Sequence, residues 1–326
     1  MSEPAVSEEP GVEKSGDLEK RYLDLFGTGR PGNRLAEETK AFVRREILPT
    51  YVRASLKAKR NESLYRRAGT LVYCLVPMAV AAVAVAVLFP AVAAAAYFVE
   101  FLILATILLV VLWADRRRSH HNWLEARFQV ERLRTAVFFA ACGVKNKAGP
   151  IAGLEKIWAH THAREPFARA GRKDLKSFVV TSWIEELMRY HSSRAERCAR
   201  LSRRLERVGM VVFLVAMVAA AIHSAPLFTG SPAHGTWTDI GLTMAAIVLP
   251  AVGAAMGGLR SHREYSRHAR TSRGMFAALT GLAERFAAAE SSGELTALLH
   301  EADNLMMSEN QGWHELMRDA RLKASA

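Results

Sequence analysis

Cysteine is nearly absent from this chain. Cys74, Cys142 and Cys198 stand far apart with no paired spacing, which excludes a disulfide framework and a cysteine-based zinc site. An early apolar segment is lacking too. The first apolar block begins only near residue 70, so no secretory signal peptide is expected. No segment carries a convincing strand pattern. Catalytic signatures are also missing: there is no nucleophile elbow, no Walker loop and no spaced pair of catalytic carboxylates. No enzymatic activity and no cofactor are expected.

Two partial motifs fail on context. Gly27, Gly29 and Gly32 in GTGRPG match G-x-G-x-x-G, but the preceding DLEKRYLDLF is helical in pattern. No strand aims a pyrophosphate at a helix N-terminus, so the stretch is a loop. His160 and His162 are two apart, and His120 and His121 are adjacent. Neither pair has the i, i+4 spacing that puts two imidazoles on one helix face, and no metal site is expected.

What is present is charge and apolarity in separate blocks. The net charge is +12 and half the residues are hydrophobic, with a pI near 9.9 and a mean hydropathy of +0.04. In a soluble protein that balance would suggest nucleic acid. Here the basic residues flank apolar blocks, so membrane topology explains them and no nucleic-acid partner is expected. The blocks lie at about 70–89, 91–113, 208–227 and 240–259. A run of about 20 apolar residues is long enough to cross a bilayer core of roughly 30 Å. Arginines and lysines precede the first and third blocks and follow the second and fourth. The link HSAPLFTGSPAHGTWTD (223–239) has none, and neither does the turn at Pro90. The bias predicts a multi-pass protein of the bacterial inner (plasma) membrane with both termini cytoplasmic.

The expected class is all-α: a four-transmembrane-helix bundle made of two repeated hairpins, with long cytoplasmic helical extensions. Residues 1–33 are expected to form a disordered acidic N-terminus. A first helix–span–span–helix repeat follows at 34–143, with a helix boundary at Pro49 and an end at Gly143. A linker with a short helix occupies 144–173, the second repeat 174–289, and an amphipathic helix 290–326. That last helix starts at a capping box, Ser291 and Glu294. Leu295, Leu298, Leu299, Ala302, Leu305 and Met306 then recur at helical spacing, a face that either docks on the other cytoplasmic helices or lies on lipid or caps a partner.

The repeat is read from four joints. SLYRRAG (63–69) leads into the first span and RRLERVG (203–209) into the third, so Gly69 and Gly209 stand 140 residues apart. RSHHNW (118–123) leaves the second span and RSHREY (260–265) the fourth, at an offset of 142. Tyr51 and Tyr190 also correspond to within a residue. In this register Tyr265 stands where Trp123 does, and Ala269 and Arg273 replace Arg127 and Glu131. Parallel duplication is the reading.

Glu100 is the one acid inside an apolar span. An ionisable group in lipid is costly, so it is a candidate pore-lining or proton-carrying residue; the alternative is an outer turn that leaves it near the headgroups. Trp123, Arg127, Glu131 and Arg134 fall within about 80° on one helical face. They read either as a packed tryptophan beside a salt-bridge ladder or as a cytoplasmic coupling surface, with Arg127 and Glu131 able to pair at i, i+4. Gly253 and Gly257 form G-x-x-x-G and are candidates for close span packing.

At these residues the chain resembles the SLATT group, the SMODS- and SLOG-associating two-transmembrane effectors. The likeness lies in W-x-x-x-R-x-x-x-E-x-x-R (Trp123, Arg127, Glu131, Arg134), in WIEELMRYH (183–191) and in the late tryptophan, Trp313, of MMSENQGW. The resemblance implies a bacterial membrane effector, homo-oligomeric and pore-forming, triggered through its cytoplasmic helices by a separate sensor protein or a nucleotide ligand. Two departures are the second hairpin and the lack of an attached sensor domain. The alternative is a non-conducting four-span scaffold or accessory protein in the same lipid bilayer.

Overall fold

The computed structural model describes residues 15–24, 32, 35, 37–145, 166–168, 171–224 and 237–318. Among them every regular element is helical: α1 (Ser15–Leu23), α2 (Glu37–Phe42), α3 (Leu48–Leu88), α4 (Ala93–Arg116), α5 (Ser119–Cys142), α6 (Arg172–Val179), α7 (Glu185–Ser224), α8 (Trp237–Arg263), α9 (Tyr265–Ala288) and α10 (Ser292–Arg318). Within the stretch 1–33 expected to be disordered, residues Ser15–Leu23 are helical. The last of them, Leu23, packs on the core, an apolar anchor for the segment.

Pro49 is not the boundary its sequence context predicts. The chain is helical on both sides because Val43–Ile47 widens into a π turn, closed by the Leu48 N–H on the Val43 carbonyl. The wider turn spares the Arg45 carbonyl the bond that Pro49 has no N–H to make. A second π turn, Val180–Ile184, precedes α7. Gly143 ends α5 as expected. It takes φ 67°, and the Val144 N–H reaches the Phe139 carbonyl at 3.1 Å, a left-handed cap that glycine adopts without strain.

Four continuous helical stretches are long and apolar enough to cross a membrane: Glu37–Leu88, Pro90–Cys142, Arg172–Ser224 and Trp237–Ala288, of 52, 53, 53 and 52 residues. The first and third carry the π turns. The second breaks at Arg118 and the fourth at Glu264, non-glycine residues held at φ 46° and 48°. These breaks lie 146 residues apart, whereas RSHHNW and RSHREY lie 142 apart. The hexapeptides are therefore out of register with the breaks by about one helical turn. Counted from the breaks, Ala269 and not Tyr265 matches Trp123.

Contacts divide the chain into two compact units. One comprises Met1–Ser63, Ser119–His191 and Gly274–Asp319; the other comprises Leu64–Arg118, Ser192–Arg273 and Ala320–Ala326. Each half of the sequence contributes to both.

The first unit buries large side chains. Trp183, Phe138, Phe139, Phe167, Phe178, Phe286 and Leu279 are all sealed from solvent. Phe138 stacks on Trp183 with centroids 4.7 Å apart and planes 7° from parallel. The stripe of α10 docks here: Leu295, Leu298, Leu299, Ala302 and Met306 are buried and Leu305 packs beside them. Its capping box forms as expected. The Glu294 N–H donates to Ser291 Oγ at 3.1 Å, and the Ser291 and Glu290 N–H groups donate to the Glu294 carboxylate.

The second unit is packed the other way. Its buried apolar residues are Ala68, Ala79, Ala84, Ala86, Ala96, Ala114, Ala195, Ala216, Ala219 and Ala269, with Tyr65 and Val72. Its large side chains, such as Phe98, Phe101, Leu109, Met210 and Phe213, are exposed. The contacts run along narrow seams. Between Arg200 and His223 the residues that are not exposed are Ser202, Leu205, Gly209, Val212, Ala216 and Ala219, alternating by three and four as a left-handed helix crossing requires.

Candidate functional site

The polar face predicted on α5 becomes the centre of a charge network in the first unit. Arg127, Glu131 and Arg134 recur at i, i+4 and i+7 and share one side of the helix. Arg134 pairs with Glu131 at 2.9 Å. Glu131 is the main reason the Arg134 guanidinium sits well above its ordinary range; burial opposes this, and Tyr51, which takes a hydrogen bond from it, and Glu186 add to it. Burial works hardest against charge on Arg127. Tyr190, Glu131, Glu309 and Glu62 outweigh it and hold its pKa above the usual arginine value.

Four helices thus converge on two arginines. Tyr51 and Glu62 come from α3, Glu186 and Tyr190 from α7, and Glu309 from α10. His191 of α7 is buried, with Nε2 3.6 Å from Glu309 Oε2, an ion pair whenever the imidazole is protonated. Sequence reasoning missed Glu62, Glu186, Tyr190, His191 and Glu309 as partners. A local signal existed for two of them: Glu186 and Tyr190 are spaced i, i+4 on one face, within WIEELMRYH.

Trp123 is buried one turn before Arg127, with the His120 ring set edge-on at 5.8 Å. Tyr265 begins α9 and is half-buried in the other unit. Trp313 lies within α10, but its side chain falls outside the described residues, as do Gly27, Gly29, His160 and His162. Cys142 is buried, which pushes its thiol pKa up and leaves it unreactive. Among the described residues no three His, Cys, Asp or Glu side chains gather as for a metal.

In the second unit Glu100 sits in the second turn of α4. It is half-buried and shares a stripe with Ala93, Ala96, Ile103, Ile107, Val110 and Ala114, none of which is exposed. The spacing of three and four marks this as the less exposed side of α4, and Glu100 lies on it. Gly253 approaches the Gly209 carbonyl, 4.0 Å from an added Cβ, while Gly257 faces open space. The tight contacts fall at two other glycines. A Cβ on Gly258 would lie 2.4 Å from Tyr73 Cε1, and one on Gly69 would lie 2.2 Å from His262 Nε2.

His262 of RSHREY therefore fills the notch at Gly69, its Nδ1 3.4 Å from the Tyr65 hydroxyl. Arg263 donates to the Arg66 carbonyl and to Thr70 Oγ1. Arg260 donates to Ser202 and pairs with Glu206 at 3.0 Å. The exit of α8 is thereby locked to α3 and α7. Comparison with protein-family models, with curated proteins and with solved structures finds no match to this chain.

Proposed function

We propose that this chain is a multi-pass membrane effector of the bacterial inner membrane, with cytoplasmic termini and a duplicated helix–span–span–helix architecture. The observation that carries the membrane part is the inverted packing of the second unit, with alanine inside and phenylalanine, leucine and methionine outside. Water drives large apolar groups inward, but lipid does not, so helices in a bilayer meet through small residues. A π turn ahead of the first and third spans and a positive-φ break after the second and fourth, at offsets of a similar size, support duplication. The absence of lysine and arginine from 223–239 supports the orientation.

The effector part rests on two polar features joined by continuous helices. The first helix of each hairpin, α3 and α7, holds residues of the α5 network and also runs on as a span. The second helix of each hairpin is broken, at Arg118 or Glu264. A signal that alters the network around Arg127 and Arg134, from a sensor protein or a nucleotide, moves α3 and α7 as rods while the breaks absorb the change. Glu100, on the less exposed side of α4, then lines the path that opens in a homo-oligomer. The likeness to the SLATT group is the source of the trigger classes.

Ion flux through proteoliposomes tests this reading. Flux that rises with an activating nucleotide or partner and changes in Glu100→Gln supports the effector. Purified oligomer that never leaks under any such condition makes the chain a scaffold. A cysteine placed within 228–236 reacts with an impermeant reagent from outside intact cells if the orientation is right.

A further inference from the structure

We propose that the outward face of α7, just above its apolar span, is a docking surface for anionic phospholipid headgroups, with Arg203, Arg204 and Arg207 as the phosphate ligands. The proposal rests on the membrane reading and adds the class of lipid. Leu64–Arg118 and Ser192–Arg273 contain sixteen arginines and no lysine. Topology needs only positive charge, which lysine supplies equally well. A guanidinium adds a planar fork that grips a phosphate through two parallel hydrogen bonds.

Four of these arginines form a stripe. Arg200, Arg203, Arg204 and Arg207 occur at i, i+3, i+4 and i+7, within about 100° of arc on α7. The seam residues Ser202, Leu205 and Gly209 lie on the opposite side of the helix, centred about 180° away. The stripe therefore points out of the bundle, and all four arginines are exposed. Carboxylates of this stretch are engaged elsewhere: Glu196 with Arg200 at 3.2 Å and Glu206 with Arg260. Arg203, Arg204 and Arg207 are left as a local excess of positive charge.

What lies below the stripe selects a lipid over a soluble anion. The same face continues into Val211, Leu214, Val215 and Val218, each about half exposed. Phosphate ligands directly above an outward apolar strip match a headgroup above its acyl chain. A free anion would find only the convex side of one helix, open to competing water. At the end of α4 Arg117 lies over the Trp113 ring, 5.1 Å from its centroid, and tryptophan favours the same headgroup depth. Juxtamembrane basic clusters gain affinity for anionic leaflets with each added charge.

The test uses the full chain in nanodiscs of equal phosphatidylglycerol and phosphatidylcholine, extracted gently in detergent, with the lipids that stay bound counted by mass spectrometry. We expect several-fold enrichment of phosphatidylglycerol over the bulk ratio. The triple variant Arg203→Gln, Arg204→Gln, Arg207→Gln should return to the bulk ratio with unchanged helical content. The matching triple lysine variant should fall between, because it keeps charge and loses the fork. No enrichment in the natural chain, or enrichment untouched by the glutamine variant, overturns the proposal. Binding of inorganic phosphate to lipid-free micelles that the same variant abolishes, without lipid enrichment, overturns it in favour of a soluble anion. Release of the chain from membranes by carbonate would remove the membrane reading as well; failed enrichment in a carbonate-resistant chain removes only the lipid site.

Discussion

Trp183 and Ala84 are both sealed from their surroundings, 2% and 1% exposed, yet they belong to opposite kinds of interior. Around Trp183 the unit built on α5, α6, α9 and α10 collects phenylalanines and leucines, and its charges sit in paired networks. Around Ala84 the span unit collects alanines and keeps Phe101 and Leu109 more than 60% exposed. The two units follow opposite packing rules. In water the hydrophobic effect selects the largest apolar groups for the core. In lipid the outside is already apolar, so close backbone approach decides what is inside.

The sharpest way to break this contrast is to truncate a large apolar residue in each unit. Trp183→Ala should cost about 3–5 kcal/mol, because it removes the ring stacked on Phe138 and leaves a cavity. Phe101→Ala should change stability by less than about 0.5 kcal/mol in a bilayer, as exposed positions do. Reversible unfolding of the full chain in nanodiscs measures both. Equal losses would end the inverted-packing account.

Enlarging a small residue should give the converse. Gly258→Ala forces the Tyr73 ring to move and should cost about 1–3 kcal/mol, as overpacking does. Gly257→Ala, one residue away, meets nothing and should stay within about 0.5 kcal/mol. Thermal unfolding that cannot separate the two variants would undo the placement of this helix contact.

Ion pairs divide in the same way. Glu131→Gln strips Arg134 and Arg127 of a partly buried partner and should cost about 1–3 kcal/mol; a double-mutant cycle with Arg134→Gln should show coupling. Glu196→Gln breaks a pair whose side chains are both more than 60% exposed, and should cost about 0.5 kcal/mol or less. Absence of coupling at 131 and 134 would leave the network without an energetic role.

The cap of α10 is a local contribution, confined to one helix end. Ser291→Ala should cost about 1 kcal/mol. Hydrogen bonds from the Ser291 and Glu290 backbone, then from the Ser291 side chain, lower the Glu294 pKa. A carboxylate lowered by folding contributes above its unfolded pKa of about 4.3, and that contribution is lost as pH falls through the lower folded value. Acid titration of stability should therefore flatten in Glu294→Gln, and an unchanged titration would remove the cap from the account.

Much of this architecture was legible before any coordinates. Uninterrupted hydropathy marked the four long helices, Gly143 marked the end of α5, and Ser291 with Glu294 marked the start of α10. The docking stripe of α10 followed from its period. Pro49 misled because a π turn can absorb a proline, and nothing in VRREI signals one. The shared letters of RSHHNW and RSHREY and the backbone breaks beside them give different registers. The backbone takes positive φ at Arg118 and Glu264, about a turn out of step with the motif.

The sequence alone determined the number of long apolar helices, their caps and the amphipathic face of α10, since each depends on neighbours within a few turns. Only the tertiary structure decided that Glu100 lies on the less exposed side of α4, that Gly69 and Gly258 carry the close approach, and that Glu62 and Glu309 meet Arg127. Those relations join residues 65 to 193 positions apart, or depend on which side of a uniformly apolar helix is covered. A local period cannot encode either when alanine, valine and leucine suit both lipid and seam.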